Sequence, residues 1–162
     1  MEGISRNIED YLEVIYRLIE SDRPAAMSII ADEMNVSRPS VTQIVSKMVD
    51  IGLVRHEPYG DVTLTEKGRT IAKSVSRRHR LFSEFLHGIL GVQKEIADNE
   101  ACKLEHAIGL GTTERLAAFV RFVNASEESP EWLVLFKEYA ETNRFPEVCI
   151  KCPRFNDKPE DR

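Results

Sequence analysis

The sequence predicts a mainly α protein in which an N-terminal winged helix-turn-helix is followed by an all-helical segment. Three observations carry that reading. Apolar residues recur at helical spacing along most of the chain. A Ser-Arg-Pro helix start at 37–39 follows an Asn-Val turn between two short helical stretches. Between 53 and 65 the helical period gives way to two short β-prone runs around a Pro-Tyr-Gly-Asp turn.

Residues 4–21 place Ile8, Tyr11, Leu12, Ile15, Leu18 and Ile19 at helical spacing, and Asp22, Arg23 and Pro24 end that helix. A second helix, Met27 to Met34, turns Ile29, Ile30 and Met34 inward, with Ala31 small enough for close packing. Asn35 and Val36 make a tight turn. Ser37 is a good N-cap because its hydroxyl can accept from the orphan amides of the next turn, and Pro39 sits where no amide partner is lost. The third helix runs to about Ile51 with Val41, Ile44, Val45, Met48 and Val49 inward, and Gly52 closes it. Runs 53–57 and 62–65 form a small hairpin. Thr65 caps a long helix to about Leu90, broken by Gly91, and further helices are expected over 93–107, 112–124 and 130–143. This divides the chain into a winged helix-turn-helix at 1–72, a helical unit at 73–144 and an irregular tail at 145–162.

At 162 residues, 42% hydrophobic and 30% charged, the chain can bury a core without staples. Charges interrupt every apolar stretch well before 18 residues, and the start lacks a basic then apolar leader, so neither a membrane span nor export is expected. Cys102, Cys149 and Cys152 are an odd, sparse set that argues for a reducing compartment, and a cytoplasmic location is expected. The net charge of -5 is unevenly spread: residues 1–80 hold 12 Lys/Arg and 12 Asp/Glu, whereas 81–162 hold 10 and 15. Lys67, Arg69, Lys73, Arg77, Arg78 and Arg80 crowd one stretch, which suits either a phosphate-facing patch or a solvated helix face.

The outward residues of the third helix are Arg38, Ser40, Thr42, Gln43, Ser46 and Lys47. In a helix-turn-helix the second helix presents such residues to the major groove. Gln can bond adenine through two atoms, Thr and Pro39 can touch a thymine methyl, and Ser and Lys can anchor phosphates. A merely solvated face is the competing reading, and the scarcity of carboxylates favours DNA. Arg55 and Tyr59 on the hairpin could reach the backbone or minor groove.

Farther on, Cys102, Glu105 and His106 stand at i, i+3 and i+4, which stacks a thiol, a carboxylate and an imidazole on one helix face. That mix suits Fe(II), Mn(II), Co(II) or Zn(II) better than Mg(II) or Ca(II). A buried cysteine beside a surface Glu-His pair explains the same spacing. Asp10 and Glu13 share a face of the first helix, where a solvated acidic edge is the commoner outcome. His79 is isolated, and His56 and His87 have no partner at useful spacing. The tail's Cys149 and Cys152 form a single CxxC, open to a second metal, a redox pair or incidental thiols.

The chain resembles the diphtheria-toxin-repressor and manganese-transport-regulator family through IEDYLEVIYRL, NVSRPSVTQIVSKMVDIGLV, LTEKGR, RRHRLFSEFL and EACKLEHAI, in the family's order from about Ile8 to Phe122. The resemblance implies a homodimer that binds palindromic operator DNA when loaded with Fe(II) or Mn(II), one or two ions per subunit, and represses metal-uptake genes. Co(II), Ni(II), Zn(II) or Cd(II) would serve as surrogates. It further implies that Asp10, Glu13, His79, Cys102, Glu105 and His106 fall on metal-ligand positions, and that Ser37, Pro39, Ser40, Thr42 and Gln43 fall on DNA-contacting ones. The second half then becomes the metal-binding and dimerisation domain, with Leu116, Phe119, Val120 and Val123 offering a face for the dimer. No SH3-like domain is expected.

Departures are informative. The iron branch has a methionine where Asp10 stands and a basic residue at Glu13, whereas the manganese branch has a carboxylate where Cys102 stands. The chain is a hybrid of the two. Ser83 and Asp98 replace the Glu and His of the iron branch's second metal site, which puts that site in doubt. Rival readings are a metal-independent winged-helix regulator, a thiol-redox sensor acting through the CxxC, and an enzyme. The last lacks a scaffold for the CxxC or a general base beside an open metal position. No membrane and no small organic substrate is expected as a partner.

Overall fold

The structure is a computed structural model that describes residues 4–58, 60–125 and 129–146. Two compact units succeed one another, Met1–Arg80 and Leu81–Arg162.

In the first unit α1 (Arg6–Glu20) is buried on more of its circumference than its period predicts. Val14 and Tyr16 join Tyr11, Leu12, Ile15 and Leu18 in the core, because α1 packs against both α2 (Met27–Met34) and the hairpin strand β2 (Val62–Leu64). Asn35 closes α2 in the left-handed region, φ 51°, which its short polar side chain tolerates. The Val36 amide reaches back to the Ala31 carbonyl at 3.0 Å. That turn launches α3 (Arg38–Asp50), whose cap Ser37 accepts from the Ser40 amide at 3.4 Å. Val41, Val45 and Met48 are buried. Val49, expected inward, is instead 40% exposed, since one residue past Met48 turns it about 100° off that stripe.

Strand β1 (Val54–His56) pairs antiparallel with β2, Val54 opposite Leu64 and His56 opposite Val62. The Val62 amide also bonds the Ala25 carbonyl at 3.0 Å, fastening the hairpin to the segment before α2. Thr65 caps α4 (Glu66–Ser83): its hydroxyl accepts from the Gly68 amide at 3.1 Å and faces the carbonyls of Gly52 and Leu53 at 2.8 and 3.0 Å. Gly68 meets Leu53 so closely that a Cβ there would stand 1.9 Å from the Leu53 carbonyl oxygen.

A single α-helix was the expectation to about Leu90. The α geometry stops at Ser83, and a π-helical turn, Glu84–Ile89, carries the chain on until Gly91 ends it at φ 76°. The buried Phe82, Leu86 and Ile89 keep α-like spacing, so periodicity alone cannot register the wider turn. The second unit adds α5 (Lys94–Ala107), α6 (Leu110–Val123) and α7 (Glu131–Thr142). Its core is Ile89, Val120, Val123 and Leu133, with Phe85, Leu116 and Phe136 packed on it. Val120 and Val123, placed by the resemblance on a face for the dimer, turn into the core of this unit at 3% exposure each. No helix among the described residues is long and apolar enough to cross a membrane.

Candidate metal centre and nucleic-acid interface

Burial of Val41, Val45 and Met48 leaves Arg38, Pro39, Ser40, Thr42, Gln43, Ser46 and Lys47 exposed along the rest of α3. No carboxylate interrupts the row, so a polyanion can approach it without like-charge repulsion. The Thr42 hydroxyl donates to the Arg38 carbonyl at 3.0 Å, so its proton is used within the helix. Ser37, at the cap, sits 2.8 Å from the Ser40 hydroxyl. The basic stretch on α4 is less available than its composition suggests. Arg69 pairs with Glu20 at 3.7 Å and Arg78 with Glu9 at 3.4 Å, while Lys67 reaches the Ile51 carbonyl at 3.4 Å. Lys73, Arg77 and Arg80 remain exposed at i, i+4 and i+7.

In the first unit Glu13 of α1 and His79 of α4 come together, Oε1 to Nδ1 at 3.9 Å, with side chains 12% and 20% exposed. Asp10 lies three residues earlier on α1, half-buried. In the second unit Cys102, Glu105 and His106 share α5. Glu105 is only 2% exposed, its Oε1 lies 3.1 Å from His106 Nε2, and Cys102 offers its sulfur within 4.8 Å of a Glu105 oxygen. Transition ions hold N, O and S donors at about 2.0–2.3 Å, so donors sharing one ion lie at most ~4.6 Å apart. The pairs within each unit stand at or close to that spacing. A carboxylate buried as deeply as Glu105 costs several kcal/mol unless positive charge or hydrogen bonds compensate it, which makes its position suited to a cation.

Ser83 and Asp98 are built differently. The Ser83 hydroxyl donates to Asp98 Oδ1 at 2.5 Å, and the Lys94 ammonium lies 2.8 Å from each. An amino-acid cation already sits on the two groups that replace the iron branch's second-site ligands. His87 contacts its own loop, Nδ1 to the Val92 carbonyl at 2.8 Å. Tyr59, Cys149 and Cys152 lie outside the described residues. Sequence reasoning missed the roles of Glu9 and Lys94. Glu9 had a signal, since it precedes Glu13 by one helical turn just as Arg78 precedes His79 by one residue.

Residues 3–62 match the N-terminal DNA-binding domain of the iron-dependent repressors, and residues 65–132 match that family's metal-binding and dimerisation domain. The chain belongs to the iron-dependent repressor family. Among the relatives of this family member, an HTH-type transcriptional regulator of Methanocaldococcus jannaschii is 42% identical over 118 residues, 72% of this chain and 94% of that one. The HTH-type transcriptional regulator MntR of Bacillus pumilus is 34% identical over 139 residues, 85% and 96% of the two chains. A manganese-dependent transcriptional repressor solved in complex with manganese superposes with a TM-score of 0.65 at 35% identity, covering 71% of this chain. The match spans nearly the full length of the two relatives but only 53% of that solved chain.

Proposed function

We propose that this member of the iron-dependent repressor family represses transcription in response to Fe(II) or Mn(II), binding palindromic operator DNA as a homodimer in its metal-loaded form. The observation that carries the metal-sensing half is Glu105, a buried carboxylate bracketed on one helix by a thiol and an imidazole. The ligands proposed are Asp10, Glu13 and His79 from the first unit and Cys102, Glu105 and His106 from the second. A bound ion would supply positive charge to the acidic, thiol and imidazole donors of this set. Within each unit the protein does its own share: Glu13 is held toward His79, and Glu105 is kept in a buried setting where charge interactions are strong. Thiol Cys102 favours Fe(II), whereas Asp10 and Glu13 favour the harder Mn(II).

DNA reading is proposed for Ser37, Arg38, Pro39, Ser40, Thr42, Gln43, Ser46 and Lys47, the exposed row of α3 and its cap. For the homodimer, the supporting feature is an open apolar groove of about 370 Å³ on the second unit, lined by residues that include Phe85, Leu116, Phe119 and Trp132. Phe122 and Val134 are 74% and 54% exposed on the same unit. Such a surface suits a second copy better than water. The test is operator affinity, measured by fluorescence anisotropy on the upstream DNA of the protein's own gene, with Mn(II), with Fe(II) and with chelator. Equal affinity with and without metal would refute the proposal.

A further inference from the structure

The acidic face of α1 carries three carboxylates, Glu9, Asp10 and Glu13, and α4 sets two different bases against it. Arg78 Nη2 lies 3.4 Å from Glu9 Oε2, and His79 Nδ1 lies 3.9 Å from Glu13 Oε1. Glu9 and Glu13 are one turn apart on α1, while Arg78 and His79 are consecutive on α4, so the two contacts share a single docking of one helix on the other. The Arg78–Glu9 pair is sheltered, its side chains 17% and 23% exposed, unlike the Arg69–Glu20 pair at 43% and 53%. A sheltered pair is screened less by solvent and salt than an exposed one, and so holds geometry better.

We infer that Arg78 is a positioning residue for the metal ligands: its ion pair with Glu9 sets α1 on α4 so that Glu13 faces His79 before any ion arrives. The inference rests on the proposed metal-sensing reading. It also explains why Glu9 is the acidic residue of this face that is not spent on metal.

Charge alone makes the opposite forecast for one of the two partners. Arg78→Gln removes a cation beside the site, which by electrostatics should tighten binding of a dication, whereas Glu9→Gln removes an anion and should loosen it. Positioning requires both to loosen it. The experiment is Co(II) titration of the full chain, followed by its visible absorption bands, and Mn(II) competition against Co(II), in wild type, Arg78→Gln, Glu9→Gln, the double variant and Arg78→Lys. All are compared well below their thermal midpoints. The expected result is an affinity about fivefold to tenfold weaker for each single variant, no further loss in the double variant, and partial recovery in Arg78→Lys. Unaltered or tighter binding in Arg78→Gln, with wild type binding normally, overturns the positioning role alone. Failure of wild type to bind either ion overturns the metal-sensing reading and this inference with it.

Discussion

Gly68→Ala tests how the reading unit is held together. A Cβ at this position would stand 1.9 Å from the Leu53 carbonyl oxygen and 2.9 Å from its carbon, whereas Cβ atoms essentially never approach closer than 3.0 Å. Both obstacles are backbone, so α4 and the root of β1 must part by about 1.1 Å. The Leu53 carbonyl is also the acceptor for the Thr65 amide, at 3.0 Å, and a neighbour of the Thr65 hydroxyl, at 3.0 Å. Overpacking of this kind costs about 1–3 kcal/mol, and each hydrogen bond lost costs about 1 kcal/mol more. A destabilisation of about 3–4 kcal/mol follows, which for a chain of this size lowers Tm by roughly 10 °C. Gly52→Ala is the control. Gly52 has a φ of 72° but nothing within 4 Å of a built Cβ, so only the left-handed strain applies, about 1–2 kcal/mol. Urea unfolding followed by circular dichroism gives both values. A Gly68→Ala loss under about 1 kcal/mol, or one equal to that of Gly52→Ala, would refute the close-approach argument.

Three other outcomes are expected. Gln43→Ala should weaken operator binding by about 1–3 kcal/mol and relax preference at one base pair, whereas Lys47→Ala should weaken all sequences alike and reduce the salt slope by about one; competition binding across single-base operator variants separates the two. Glu105→Gln, which keeps shape and removes charge, should cost at least about tenfold in Co(II) affinity, and unchanged metal content by elemental analysis would count against Glu105 as a ligand. Glu33 is held below the usual carboxylate range by its hydrogen bond to Arg23 and the charges of Arg17 and Arg23, against an upward push from burial. A depressed folded-state pKa adds stability that is present above the unfolded value, about 4.3, and is lost as pH falls through the folded one. Wild type should therefore exceed Glu33→Gln by about 0.5–1 kcal/mol at neutral pH, with the gap closing below pH ~4 in urea titrations; a constant gap would disprove the assignment.

Elements whose signals are local were legible in the sequence. The Met27–Met34 helix matches its expected bounds, Thr65 caps α4, and Ser37 caps α3, because a cap or an i, i+4 stripe is written within a few residues. The π-helical turn was not legible, since its apolar residues keep α spacing while its hydrogen bonds do not: the Leu90 amide bonds Phe85, five residues back. The burial of Val120 and Val123 was not legible for a related reason. Periodicity says that one face of α6 is apolar, but a core and a subunit contact demand the same chemistry, and only packing against Ile89 and Leu133 assigns those two to the core.

The candidate metal centre divides along the same line. Cys102, Glu105 and His106 lie within one helical turn and could be read from spacing, though spacing could not say that Glu105 would be nearly inaccessible. Glu13 and His79 are 66 residues apart, and nothing in either segment records how α1 registers against α4. That register is a property of pairs such as Glu9 with Arg78, of which Glu9 drew no reading and Arg78 stood in a stretch suited to either a phosphate-facing patch or a solvated helix face. The two charges meet each other one residue away from the proposed ligand His79 on α4 and one turn away from the proposed ligand Glu13 on α1. For a protein whose proposed switch depends on carboxylates, the cations Arg78 and Lys94 matter as much as the proposed ligands. Arg78 holds Glu9 and Lys94 holds Asp98, two acidic groups that lie outside the proposed ligand set.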